Sequence, residues 1–317
     1  MMGRLLPWFA TRDRRLIWMI GVLTLLGIAL LQPAILLKRE VFNAVFVIDI
    51  TQSMNTKDYQ IGEQAVSRLQ VSKDSLRKAL LQMPCGSMVG LGIFNEYRSF
   101  LLLAPIEVCS NYTELTGALA HISGKMAWAG GSEIAKGVNW GLKMIKSLEP
   151  RPALVFLTDG HEAPPIRMNQ RPRIDVAPGE VNGLLVGLGG TELTPIPKLD
   201  PDGHSLGFWR ADEVAQADIY SQGRGGSVAG ETMADLTKNS IQKSQTEHLS
   251  SLKGTYLQLL AGETGLHFAP LNNPDGLLKL LTDASLGQMQ DTPTPIAWLP
   301  ALIALCALLV CYLWRFR

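Results

Sequence analysis

Asp49, Thr51 and Ser53 stand at alternate positions, so in extended backbone one carboxylate and two hydroxyls point the same way. Oxygen donors of this kind are hard ligands that suit Mg²⁺, Ca²⁺ or Mn²⁺ better than Zn²⁺ or Cu²⁺. The same residues equally well cap a following helix. Taken alone, the stretch leaves metal site and helix cap open. Two other places in the chain offer oxygens of the same type: Ser132, directly after Gly130 and Gly131, and Asp159, between Thr158 and Gly160.

These residues need elements to position them. Residues 45–48 are a continuous β-branched and aromatic run, the pattern of a strand buried on both faces of a parallel sheet. Residues 153–157 and 183–187 repeat it. Between them lie stretches with helical spacing: 68–83, with Leu69, Leu76, Leu80 and Met83 on the inner face; 113–122, with Asn111 as its cap; and one beginning at Ser132 and running to about 148. A helix over 256–263, a strand over 265–270 and a helix over 274–281 complete the alternation. The order predicts an α/β, Rossmann-like fold, with a mostly parallel central sheet and helices on both faces. Asp49, Ser132 and Asp159 then sit in three loops that meet at one sheet edge, where such folds bind ligands. That convergence favours the metal reading. Asp58, Tyr59 and Trp128 are candidates for its rim, and the proline-rich stretch 162–179 reads as an irregular loop.

The 317 residues are 47% hydrophobic with a net charge of +1, which gives no reason to expect a nucleic-acid partner. Apolar residues concentrate at the two ends. Residues 16–37 and 296–314 read as transmembrane helices, with Trp298 and Trp314 as interfacial residues of the second. Arg4, Arg12, Arg14 and Arg15 before the first, and Arg315 and Arg317 after the second, place segments 1–15 and 315–317 in the cytoplasm. The main domain, 38–290, then faces the periplasm of a bacterium, anchored in the inner membrane. Within it, residues 189–250 form an insertion: its first part reads as a small hairpin, and 221–250 as mobile. Cys306 and Cys311 fall in the second span and read as apolar filler. Cys85 and Cys109 lie equidistant from residue 97, the tip of a hairpin (88–94 and 99–103), so they face each other and suit a disulfide in an oxidising compartment, with two buried free thiols as the alternative.

These residues resemble the von Willebrand factor A (vWA) domain and its metal-ion-dependent adhesion site (MIDAS). The family's Asp-x-Ser-x-Ser is matched by Asp49, Thr51 and Ser53, with Thr replacing the first Ser; its second-loop Thr falls on Ser132 and its third-loop Asp on Asp159. The resemblance implies that the hydroxyls bind Mg²⁺ directly and the carboxylates largely through water, with one position left for an acidic residue of a partner protein. Residues 49–59, 67–76, 187–197 and 259–281 are also similar to the bacterial membrane-anchored branch, the aerotolerance-type (Bat) proteins, with the accessory proteins of methanol dehydrogenase operons as further similar proteins. That likeness implies assistance to the assembly or maturation of a partner complex, including hetero-complexes with similar vWA proteins.

Two other functions are open to these residues. His161 and Glu162, just after Asp159, could serve as base and acid of a metal-assisted hydrolase; the plainer reading makes them part of a solvated loop. No Gly-x-Ser-x-Gly, His-Glu-x-x-His or phosphate-binding Gly-Lys-Ser/Thr pattern accompanies them. A scaffold whose metal site is only structural is the other alternative. The expectation is a non-enzymatic binding module.

Overall fold

A computed structural model describes residues 14–127, 130–165, 172–200, 202–214 and 246–313. Its central strand β1 (Ala34–Asp49) has no exposure from Val45 to Ile48. Both edges of that stretch are paired in parallel, to β4 (Met88–Asn95) on one side and β6 (Ala153–Thr158) on the other. Next to β6 come β7 (Gly183–Gly187) and β12 (His267–Pro270), also parallel, while β5 (Arg98–Glu107) closes the far edge antiparallel to β4. The order is β12-β7-β6-β1-β4-β5, with β13 (Gly287–Pro295) pairing β1 as the seventh strand. This is the expected α/β arrangement.

The alternation of β1 side chains sorts the helices onto two faces. Phe42, Ala44, Phe46 and Ile48 pack with α2 (Arg68–Gln82), α3 (Tyr112–His121) and, near the C-terminus, α6 (Leu277–Asp283). Val45 and Val47 point the other way, into a cluster with α4 (Ile134–Lys146) and α5 (Gly254–Thr264). With both faces covered, what remains free is the C-terminal edge of the strands, and Asp49 lies there.

The β4–β5 hairpin is longer than its sequence pattern, and its register shifts on either side of Leu91. Past its base Cys85 and Cys109 are joined by a disulfide, with Cα atoms 5.2 Å apart. A short β2–β3 hairpin (Tyr59–Ile61, Gln64–Val66) occupies what reads in sequence as plain loop. The insertion leaves the sheet at Gly190 and returns at Leu252, whose N–H donates to the Gly190 carbonyl at 2.8 Å. A neck of β8 (Thr194–Pro195) on β11 (Leu249–Ser250) follows, then the expected hairpin, β9 (Pro197–Leu199) on β10 (Ser205–Phe208). Most of 221–250 lies outside the described residues.

By its contacts the chain divides into residues 41–288 and a second unit made of the two ends. The second unit corrects the expected spans. The first helix, α1 (Arg14–Leu30), has 17 residues and stops where Gln32 takes a positive φ of 47° ahead of Pro33; residues 34–37 already belong to β1. At 1.5 Å per residue it is about 25 Å long, short of a hydrocarbon core of about 30 Å. The last helix, α7 (Trp298–Leu313), has 16 residues and follows closely on the end of β13. Among the described residues no helix is long and apolar enough to cross a membrane. Arg4, Arg12, Trp314, Arg315 and Arg317 lie outside the described residues. Helices α1 and α7 pack on each other, and the adjoining strands are joined by Ile296 N–H to Pro33 O at 2.7 Å and Thr292 Oγ1 to Leu37 O at 3.3 Å.

Candidate metal centre

Parallel pairing of β1 with β6 aligns Ile48 with Leu157 and so brings Asp49 beside Thr158. The Thr158 hydroxyl donates to Asp49 Oδ2 at 2.6 Å. The other carboxylate oxygen accepts from Thr51, at 2.9 Å from the backbone N–H and 2.7 Å from the hydroxyl, folding the loop back over the strand end. Thr51 Oγ1 lies 3.4 Å from Ser53 Oγ, at the start of a 3₁₀ turn (Gln52–Asn55). Metal site and helix cap divide here: Thr51 is at the cap position of that turn and makes no side-chain cap bond. Burial, and after it the charge of Asp159, push the Asp49 carboxyl up to about 7.

Asp159 lies at the end of β6 and is also fully buried. Its Oδ1 accepts the His161 N–H at 2.9 Å, and its Oδ2 accepts from Arg68 Nη1 at 2.5 Å and Ser250 Oγ at 2.9 Å. Arg68 opens α2 with no exposure, donates to Asp58 through Nε and Nη2, and gives a further bond to Ser250 Oγ at 2.6 Å. Burial alone would raise Asp159; the charge of Arg68, aided by His161 and hydrogen bonds including one from Ser53, outweighs it and holds the group below its usual range. The guanidinium needs close backbone. Gly189 has a φ of +110°, and a Cβ there would stand 2.7 Å from Arg68 Nε.

Ser132 reaches the same edge by another route. Its N–H and C=O both pair with Ala163 at 2.7 Å, fixing the Gly130–Gly131 loop against the loop after β6. It does not start α4, as its spacing suggests. Glu133 takes the cap position, and the helix end is capped from outside by Glu162, which accepts from the N–H groups of Ile134 and Ala135 at 3.0 Å and from the Tyr256 hydroxyl. With its backbone so held, Ser132 is only 3% exposed, and its buried Oγ has no hydrogen-bond partner among the described residues.

His161 and Glu162 are therefore not a solvated loop. His161 is 3% exposed, and burial lowers its imidazole below the usual value. Burial raises Glu162 to about 7. Its contacts to α4 and Tyr256 make it a structural clamp. Asp58 is the second acid of Arg68, and Tyr59 accepts from Gly189 N–H at 3.0 Å while donating to Leu271 O at 2.9 Å, so both brace the site. Trp128 lies outside the described residues.

The sequence reading missed Arg68, Ser250 and Thr158. A charged residue at the first turn of an amphipathic helix reads as surface, and a serine at the end of a long insertion gives no sign of where it returns.

Thr51, Ser53 and Ser132 line one cavity of about 280 Å³ together with His161. Pro164 also lines it, and the insertion contributes Ile196, Trp209, Glu213 and Glu247. The donor set fits a hard divalent cation on three grounds. All five residues offer oxygen. Ser132 Oγ lacks a partner among the described residues although buried polar atoms nearly always have one. Asp49, when ionised, has only the hydrogen-bond donors of Thr51 and Thr158 beside it among the described residues and is repelled by Asp159, an unbalanced charge that a divalent ion would offset.

Residues 44–161 match the von Willebrand factor type A domain. That span runs from β1 through the end of β6 and contains all five oxygen-bearing residues. No curated protein matches the chain. Among solved structures, it is similar to an aerotolerance-related membrane protein from Bacteroides fragilis at 18% identity, covering 77% of this chain and 98% of that one with a TM-score of 0.49. An uncharacterized membrane spanning protein from Vibrio fischeri is similar at 15% identity, covering 77% and 96% with a TM-score of 0.29. The PilB minor pilin from Streptococcus sanguinis also shows 15% identity, over 78% of this chain and 61% of that one, with a TM-score of 0.38.

Proposed function

We propose that residues 41–288 form a metal-dependent protein-binding module. Thr51, Ser53 and Ser132 hold Mg²⁺, with Ca²⁺ or Mn²⁺ as substitutes; Asp49 and Asp159 supply the negative charge, and a carboxylate of a partner protein completes the coordination. The observation that carries this reading is Ser132 Oγ, buried without a partner among the described residues, its residue lining the same cavity as Thr51 and Ser53. A module of this kind needs no nucleophile, and Glu162, the acid that follows Asp159 and His161 in the chain, is committed to the end of α4. The test is recovery of partners from membranes by wild type and by Asp49→Ala, each with divalent ion and with chelator. Wild type should lose its partners with chelator, and the variant should capture none in either condition. Equal wild-type recovery with and without chelator overturns the metal bridge.

The paired end helices serve, in this reading, to hold the module at the bacterial inner membrane, facing the periplasm, where it helps an exported complex assemble or mature. Support comes from their apolar surface: Ile17, Met19 and Leu23 of α1 and Leu302, Leu305 and Leu309 of α7 are all exposed. The disulfide suits that compartment. Membrane fractions washed with alkaline carbonate should retain the full chain.

A further inference from the structure

The cavity beside the metal-binding face has a second set of features that ion binding does not explain. Two buried polar atoms on its wall, besides Ser132 Oγ, have no hydrogen-bond partner among the described residues: His161 Nδ1 and Trp209 Nε1. His161 is 3% exposed. An indole N–H can only donate, so whatever fills the space must offer Trp209 an acceptor. Around these atoms the wall is apolar, with Ile196 and Pro164. It is also firmly held. Trp209 N–H donates to Ile196 O at 3.0 Å, and Lys198 Nζ lies 4.6 Å from the Trp209 ring centre while pairing with Glu213 Oε1 at 2.7 Å.

We infer that this insertion-built cavity is a subsite for an extended acidic peptide segment: it receives the uncharged, apolar side chain next to the metal-bound acidic residue, and Trp209 Nε1–H donates to a main-chain carbonyl. A volume of about 280 Å³ admits one such side chain with its peptide group and excludes a broad protein surface. The apolar part of the wall, Ile196 and Pro164, offers a second carboxylate in the ligand no partner, so burying one there is costly. The insertion thus selects the neighbour of the acid, where the metal selects the acid itself. This inference rests on the metal-bridged reading above.

The test uses the full chain loaded with Mn²⁺, titrated calorimetrically with acetate, acetyl-Asp-Leu-amide and acetyl-Asp-Asp-amide. The Leu peptide should bind about tenfold or more tighter than acetate, through burial of its side chain, and the Asp-Asp peptide should gain no such advantage. Trp209→Phe keeps the apolar wall and removes the donor; it should weaken the Leu peptide about three- to tenfold and leave the affinities for Mn²⁺ and acetate unchanged. If wild type binds the Leu peptide no tighter than acetate, or if Trp209→Phe changes nothing, the cavity holds water only and the subsite is overturned. Mn²⁺ binding that survives Asp49→Ala instead removes the metal-bridged reading, and this inference with it.

Discussion

Arg68 brings a full positive charge to a position with no exposure, and three partners keep it there: Asp58, Asp159 and Ser250. Removing one member of a buried ion group leaves the others uncompensated, so Arg68→Ala should cost about 3–5 kcal/mol in chemical denaturation. Arg68→Lys should recover only part of that, because an ammonium cannot reproduce the guanidinium fork that reaches both acids. Glu162 gives a second prediction, in pH. Its carboxyl is raised from 4.5 to about 7 in the folded chain, so the folded state keeps a proton that the unfolded chain releases. The stability linked to it is complete below the unfolded value and is lost as pH rises through the folded one. Thermal denaturation in the absence of metal should show the midpoint falling between pH 4.5 and about 7, less steeply in Glu162→Gln. At this scale the sequence was informative about oxygens and silent about their counter-charge. Asp49, Thr51, Ser53, Ser132 and Asp159 are legible because strand ends and a Gly-Gly turn mark their places. Arg68 is not, since nothing local separates a buried helix-start arginine from a solvated one.

Among the elements, α4 carries the tightest packing requirement. A Cβ on Gly137 would lie 2.1 Å from the Phe94 ring, and Phe94 pairs with Asp49 across β4 and β1. Gly137→Ala should therefore push the helix from the sheet and destabilise the fold by about 1–3 kcal/mol, with a parallel loss of Mn²⁺ affinity because Ser132 leads into that helix. The disulfide closes a span of 24 residues, and reducing it should cost about 2–4 kcal/mol in the same assay. Strand and helix positions were readable within a few residues, since the period of the apolar pattern sets them. The start of α4 was misread at Ser132 because its capping carboxylate, Glu162, comes from another loop and leaves no mark in the helix's own sequence.

For the whole molecule, the division into two units predicts that a fragment of residues 41–288 folds alone, binds Mn²⁺ like the full chain and stays in the supernatant when membranes are sedimented. Loss of cooperative unfolding in that fragment would show that the ends are part of the fold. Hydropathy located the apolar ends but overstated the first: it could not see that Pro33 ends α1 and that residues 34–37 join the sheet. The insertion was legible as a break in the strand–helix rhythm, though its contribution to the cavity beside Thr51, Ser53 and Ser132 was not, because that depends on the path between its two ends. Those ends meet at the Leu252–Gly190 hydrogen bond and the two-stranded neck beyond it. A segment that departs and returns at one point can be exchanged without altering the course of the sheet. Proteins sharing the loops of Asp49, Ser132 and Asp159 could exchange this cassette alone, and a laboratory could graft another loop between Gly190 and Leu252, provided the graft returns a hydroxyl where Ser250 meets Asp159.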